Sequence, residues 1–423
     1  MLDQVSRGVP RPDDTLFSQV MEPANRANPY PLYARLRETP IARQHDDVYV
    51  VSSHAAIRSL IFDPRLSSED LPASHRPRTG NPLKDWILNP IKDRVATAHR
   101  PFIFRDPPDH DTLRRFVMEQ FTIARVRGVH GRISSIVDTL IEACRGRDTV
   151  CLVGDLSYPL PVTVICDLLG VPEADEPRFR HWSTQLATAL EPDARRDQRT
   201  RRANAANFDA ISKYMRALIK EKKRHPADDM LSGLANHADP TTPKMGNYDL
   251  ISTAILLLVA GHETTVNLIT NGMLTLLRHP DELERLREDP ERAPRVVEEV
   301  LRYEPPVHFR SRKALGDISI GDVTIPKGSA VVLLLAAGSR DPERFTDPER
   351  FDPDREDNEH FGFGGGLHYC VGAPLARIEA EVALVALCQR LVAPRLIVDP
   401  PPYRHGAALR GPDKLEIAIA GIE

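Results

Sequence analysis

A chain of 423 residues is long enough to bury a large core, and 56 Lys+Arg against 60 Asp+Glu leave a formal net charge of only −4. That balance excludes a global field for nucleic acid or for a strongly anionic partner. The five cysteines are odd in number, scattered and without a C-x-x-C pair, which argues against a disulfide framework or a zinc ribbon and for a reducing, cytoplasmic setting.

Residues 1–40 mix charged residues, Asn and Pro with apolar ones and contain no signal-type apolar core. Apolar periodicity predicts helices over Tyr30–Glu38 and His54–Phe62, with a strand at Val48–Val51 between them. Seven prolines between Pro72 and Pro108 interrupt any pattern and are read as a long functional loop, because neither flank looks complete alone. A single domain over 1–423 follows. Further helices are predicted over Asp109–Gln120, Ala124–Cys144, Pro161–Leu169, Arg202–Lys223 and Asp249–Arg278. The basic runs Arg195–Arg202 and Lys220–Arg224 lack interleaved aromatics and are read as solvated faces, so no nucleic-acid partner is expected. The longest apolar stretch, Ile251–Gly261, is well short of the roughly 20 residues a spanning helix needs, so no membrane is expected. A helix over Ala293–Tyr303 precedes strand signals at Ile318–Ile320, Val323–Ile325 and Ala330–Ala336. The fold class is therefore mainly α with a small β region.

Two segments carry chemistry. The first, Phe361 to Gly372, holds Gly362, Gly364, Gly365, Gly366 and Gly372 around Cys370, which suits a constrained loop lying close to a flat ligand. Cys370 then opens a helix with Leu375, Ile378, Val382 and Val385 as its apolar stripe and Arg377 and Glu379 off it. Helix dipole and loop N–H groups are expected to lower the pKa of a thiol placed there. The competing readings are a core cysteine, which leaves the glycines unexplained, and a zinc site from His360, His368 and Cys370, which lacks a fourth ligand. Cys388, further along this helix, is read as core.

The second is Ala260-Gly261-His262-Glu263-Thr264-Thr265, which puts a glycine, an acid and two hydroxyls into an otherwise apolar helix. Glycine alone costs about 1 kcal/mol there relative to Ala, and buried polar groups cost more unless partnered. Thr264 lies one turn from Ala260, so small residues leave room for a ligand beside its hydroxyl. The alternative is that Thr264 bonds back to the Ala260 carbonyl while Glu263 pairs with an arginine elsewhere.

Taken in order along the chain, these segments resemble the cytochrome P450 family. The run F-x-x-G-x-H-x-C-x-G from Phe363 to Gly372 is similar to its heme-binding signature, with Cys370 as the iron ligand. Ala260 to Thr265 resembles its A-G-x-[DE]-T-T stretch, in which the acid and first threonine, here Glu263 and Thr264, organise water and deliver protons for oxygen activation. Glu299, Arg302 and Arg350 resemble the family's E-x-x-R and P-x-R-F structural triad. Asp106-Pro107-Pro108-Asp109-His110 onward resembles D-P-P-x-H-x-x-x-R, which implies that His110 and Arg114, with Arg312 and His368, hold the heme propionates; Arg310 competes with Arg312.

The resemblance implies the P450 fold, with heme b (iron protoporphyrin IX) between the central helix and the cysteine loop. It further implies a monooxygenase that takes one oxygen atom from O2 into a hydrophobic small molecule, such as a secondary-metabolite intermediate. No nucleotide fingerprint is present, so electrons are expected from a ferredoxin or flavodoxin with an NAD(P)H-dependent reductase, docking near Arg114, Arg115 and Arg377 on a monomer. Substrate choice is expected from Pro72–Pro101, Val171–Arg196, Glu304–Phe309 and Ala407–Leu409. The alternatives are a non-turnover heme sensor, which does not need Glu263 and Thr264, and a peroxide-driven peroxygenase.

Overall fold

The apolar run of the middle of the chain becomes one continuous helix, Asn247–Arg278, in the computed structural model, which describes residues 15–44, 47–69, 100–187, 198–237 and 245–423. Every residue from Leu250 to Leu276 is buried except Ala260, Gly261 and Thr264. Helices Pro159–Leu169, Glu176–Ala187, Gln198–Arg224, Ala293–Tyr303 and Ala373–Arg390 pack around it. By length and composition the central helix could cross a membrane, contrary to the shorter stretch expected; 83% of its most apolar window lies inside the protein, which makes it a core helix.

Asp109–Gln120 forms as expected, whereas the pattern predicted over Ala124–Cys144 divides into Ile123–Gly128 and His130–Glu142. The break falls after Gly128, one of two glycines in that run; the other, Gly131, lies in the first turn of the second helix. Glu176–Ala187 is a helix inside the segment Val171–Arg196 expected to set substrate choice, and Pro280–Glu288 has no strong apolar pattern in the sequence, since only Leu283 and Leu286 of that helix are buried. Most of the proline-rich segment, residues 70–99, lies outside the described residues, as do 188–197.

The main sheet has five strands: β1 (Ile41–Arg43), β2 (Val48–Val51), β3 (Leu66–Ser67), β4 (Arg310–Ala314) and β5 (Ala330–Leu333), in the order β1-β2-β5-β4-β3. Only β2 and β5 pair in parallel. The strand predicted to Ala336 stops at Leu333, and a short helix, Leu335–Gly338, follows. On β4, Arg310 and Arg312 are two residues apart and share a face. Ile318–Ile320 and Val323–Ile325 form the expected hairpin, with Gly321 at φ 54° in its turn.

Helix Ala373–Arg390 departs from the stripe read off its sequence. Its buried side is Leu375, Glu379, Ala380, Ala383, Leu384, Leu387 and Cys388, while Ile378, Val382 and Val385 are half-buried. Several helices cover it, so small residues take the closest contacts; Leu384 sits against Gly272 of the central helix. Glu379 is enclosed rather than solvated, and burial pushes its carboxyl up to about 8.

The Glu299–Arg302 pair is fully buried, at 0% side-chain exposure each, and bidentate, with N···O distances of 2.8 and 2.7 Å. The expected third member differs. Arg350 supplies its backbone carbonyl to Arg302 at 2.9 Å and leaves its side chain exposed, while the guanidinium nearest Glu299 after Arg302 is that of Arg355, at 3.7 Å. The chain turns between Phe351 and Arg355, and Asp352 N donates to Glu299 Oε1, which brings position 355 inward. Arg302→Met leaves a buried carboxylate without its counter-ion and is expected to cost about 3–5 kcal/mol in denaturant unfolding; Arg355→Ala should lower the midpoint detectably and Arg350→Ala should not.

Candidate active site

The cysteine loop is built by short backbone bonds. Gly364 N donates to Phe361 O at 2.8 Å, Tyr369 N to Gly366 O at 3.1 Å and Cys370 N to Phe363 O at 3.1 Å, which folds Phe363 and Cys370 onto each other. Gly366 lies at φ 60°, and any side chain there would strike the Ile61 carbonyl. Helix Ala373–Arg390 begins three residues after Cys370, with Gly372 as its N-cap. The N–H groups of Gly372 and Ala373 point at Cys370 Sγ.

The expected fall in the thiol pKa is not what results. Burial pushes Cys370 above its ordinary value, and the two N–H groups, with Arg114 and Arg310, offset that only in part. A coordinated metal ion deprotonates a thiol outright, so a thiolate in this loop would need a bound cation to stabilise it.

Around the loop lies a cluster rich in cationic groups. The rings of His110 and His368 are 4.5 Å apart, and His368 Nε2 meets Ser68 Oγ at 2.9 Å. His110 Nδ1 bonds Asp111 Oδ1 at 2.9 Å. His110 Nε2 and His368 Nδ1 are buried with no protein partner. Burial, then Arg312, His110 and Arg114, push His368 down to about 3. Arg312 is itself pushed down to about 10 by burial and by Arg310, opposed by Asp106; its guanidinium donates to the Ser311 carbonyl at 3.0 Å. Asp106 is committed to Ser67 Oγ and to Ser68 N. Arg114 gives one bond to Tyr369 O at 2.7 Å, and Arg377 lies over the Phe363 ring at 4.5 Å while pairing with Glu298 at 2.6 Å. Orphaned donors and desolvated cations beside a glycine loop fit a flat ligand that carries two carboxylates.

On the central helix the unburied residues Ala260, Gly261 and Thr264 form one face, at i, i+1 and i+4. Thr264 Oγ1 donates to Ala260 O at 2.7 Å and Thr265 Oγ1 to Gly261 O at 2.9 Å, so the back-bonding alternative is realised. Donation fixes the hydroxyl hydrogen and leaves the Thr264 oxygen able to accept. Glu263 is buried and ion-paired with Arg404, a residue that sequence reasoning passed over. His262 is fully buried, with the Tyr158 ring 4.5 Å away. Ser68, Arg355 and Arg404 were all missed: each acts through a contact distant in sequence, and none stands in a motif.

A family model described as Cytochrome P450 matches residues 79–414. The chain belongs to the cytochrome P450 family. Cytochrome P450 107B1 of Saccharopolyspora erythraea is 37% identical over 404 residues, covering 91% of this chain and 93% of that protein. The 6-deoxyerythronolide B hydroxylase of the same organism is 35% identical over 400 residues, covering 93% and 96%. The crystal structure of ligand-free CYP164A2 from Mycobacterium smegmatis superposes with a TM-score of 0.84 at 40% identity, covering 96% of this chain and 99% of that one.

As a P450 the chain binds heme b through a cysteine and is a monooxygenase, placing one oxygen atom from O2 into a hydrophobic small molecule with electrons from a separate redox partner. A charged hydrogen bond is worth about 1.5–3 kcal/mol. Arg312→Leu is therefore expected to speed heme transfer to apomyoglobin by about tenfold or more, with the far-UV circular dichroism unchanged.

Proposed function

We propose that Cys370 is the iron ligand of this monooxygenase and that Glu263 and Thr264 deliver the protons its reaction consumes. The observation that carries this is the single unburied face of an otherwise enclosed helix, formed by Ala260, Gly261 and Thr264 with Glu263 beside it. When bound, the heme supplies the redox chemistry that activates dioxygen, and a thiolate ligand favours O–O cleavage. The protein's own groups do the rest. The loop N–H groups at Gly372 and Ala373 orient the Cys370 sulfur. The Phe363 carbonyl holds the Cys370 N–H, and Arg377 lies over the Phe363 ring. His110, Arg114, Arg312 and His368 hold the propionates in charge-assisted bonds. Thr264 Oγ1, its hydrogen given to Ala260 O, accepts a water proton donor, and Glu263 serves as the acid from which that water is resupplied.

A ferredoxin with its reductase is the proposed electron source. Arg115 is exposed, whereas Arg114 is engaged with Tyr369 and Arg377 is paired with Glu298, so Arg115 is the cation of the three that docking would use. The substrate is proposed to be a hydrophobic secondary-metabolite intermediate and the enzyme to act as a cytoplasmic monomer; one relative is a 6-deoxyerythronolide B hydroxylase.

The reduced, carbon monoxide-bound protein should show the strongly red-shifted Soret band of thiolate ligation, and Cys370→Ser should lose it; a wild-type protein loaded with heme but lacking that band overturns the assignment. Thr264→Ala should cut product formed per electron donor consumed by about 10²-fold, within the range for positioned acid–base groups, with the excess electrons appearing as peroxide.

A further inference from the structure

Glu263 sits where a carboxylate is costly: it is buried on a helix whose neighbours are apolar on almost every side. Its counter-ion comes from 141 residues further along the chain. Arg404 reaches Glu263 Oε1 from the C-terminal segment, while Glu263 Oε2 has no hydrogen-bond partner and lies 3.7 Å from His262 Nδ1.

The segment bearing Arg404 is clamped. Arg404 N donates to Gly411 O at 3.2 Å, and Tyr403 bridges Pro412, closing a hairpin-like turn. Gly411 lies so close to Asn267, one helical turn beyond Glu263, that a side chain at 411 would collide with the Asn267 amide oxygen. Arg410 anchors the turn by pairing with Glu304 and by donating to Arg26 O at 2.7 Å and Ala27 O at 2.8 Å. Arg404 is therefore held against the central helix by its own backbone, before its side chain makes any contact.

We propose that Arg404 is a positioning residue of the oxygen-activating machinery: it holds one oxygen of Glu263 and leaves the other to take protons from water and pass them on. This rests on Glu263 being the relay acid. Arg404 acts through its ion pair with Glu263. The remaining titratable groups around the pair are His262 on the same helix, Tyr158 against His262 and within reach of Arg404, and Asp413 beside Arg404. Asp413 competes for the guanidinium, so replacing Arg404 removes the cation that favours ionised Glu263 and leaves the acid among apolar neighbours. Asn267, wholly buried with its amide oxygen and nitrogen lacking a protein partner, supplies the next polar surface along the same helix face.

The test uses heme-loaded protein in four forms: wild type, Arg404→Gln, Arg404→Lys and Glu263→Gln, with the double variant Arg404→Gln/Glu263→Gln as control. Infrared difference spectra across pH follow the protonated-carboxyl band that Glu263→Gln removes. In parallel, product formed per electron donor consumed is measured across pH. In Arg404→Gln the Glu263 band should persist to higher pH by about one unit, equivalent to a tenfold change in its protonation constant. The pH profile of coupling should move the same way, and Arg404→Lys should restore both in part. In the Glu263→Gln background, Arg404→Gln should add nothing. An unmoved Glu263 band in Arg404→Gln, or equal loss of coupling from Arg404→Gln with and without Glu263, overturns the proposal. Unchanged coupling in Glu263→Gln alone would instead sink the assignment of Glu263 as relay acid, which the infrared titration of Arg404→Gln distinguishes. Should Arg404→Gln fail to load heme, Arg404→Lys carries the comparison: a smaller shift of band and profile in the same direction is the expected result, and no shift, or one the other way, overturns the proposal.

Discussion

The cysteine loop rests on one saturated ion pair. Arg302 uses all five of its donors: two on Glu299, and one each on the carbonyls of Ser339, Pro348 and Arg350. Glu299 in turn accepts from Arg302, from Asp352 N at 2.8 Å and from Asn358 Nδ2 at 3.2 Å. A buried pair is stabilising only when geometry and further hydrogen bonds offset the loss of water, and here both conditions are met. A lysine, with three donors around a point charge, could not make this planar set of contacts. The consequence reaches the active site directly. Ser339, fixed through its carbonyl, takes Phe361 N on its hydroxyl at 3.1 Å, and Gly362 passes close under the Leu301 carbonyl. The loop that presents Cys370 is thus set by a pair that performs no chemistry.

A second buried network adjoins the first. Arg340 lies 3.4 Å from the Tyr30 ring centroid and 3.7 Å from that of Tyr303, and it bonds the Tyr303 carbonyl and Glu304. Glu304 also pairs with Arg410 and takes the Tyr30 hydroxyl at 3.2 Å. Burial, reinforced by Arg410, Arg340 and Arg26, pushes His308 well below its ordinary value, so it remains neutral and bonds the Tyr33 hydroxyl at 2.7 Å. These contacts tie residues near the start of the described chain to the segment that carries Arg404. The geometry beside Glu263 therefore depends on groups on several distant elements, and cation–π contact and desolvated ion pairs do the holding.

The two sides differ in electrostatic character. Near Cys370, His110, His368, Arg312 and Arg114 gather with few acceptors, and burial pushes His368, Arg312 and Arg114 in the direction of discharge. An anionic ligand reverses that tendency by supplying the missing charge. Near Glu263 the order is inverted, with a single acid meeting a cation already in place. The proposed propionate cluster thus carries unmet positive charge, and the proposed relay acid a compensated negative one.

Much of this was legible in the residues. The glycine-flanked Cys370, the polar insertion at Gly261 to Thr265 and the helical periodicity of Asp109–Gln120 are local patterns, and chain chemistry within a few residues is enough to specify them. The strands Val48–Val51, Ile318–Ile320 and Val323–Ile325 were equally local. What only the tertiary structure decided were partnerships across the chain. Arg355 rather than Arg350 faces Glu299 because the backbone turns at Asp352; Glu379 is buried because helices cover its helix on more than one side; and Arg404 meets Glu263 because a clamped C-terminal turn lies along the central helix. Periodicity records which face of a helix prefers to leave water, but it carries no information about which distant backbone arrives to cover that face, and the pKa of a buried group depends on that arrival.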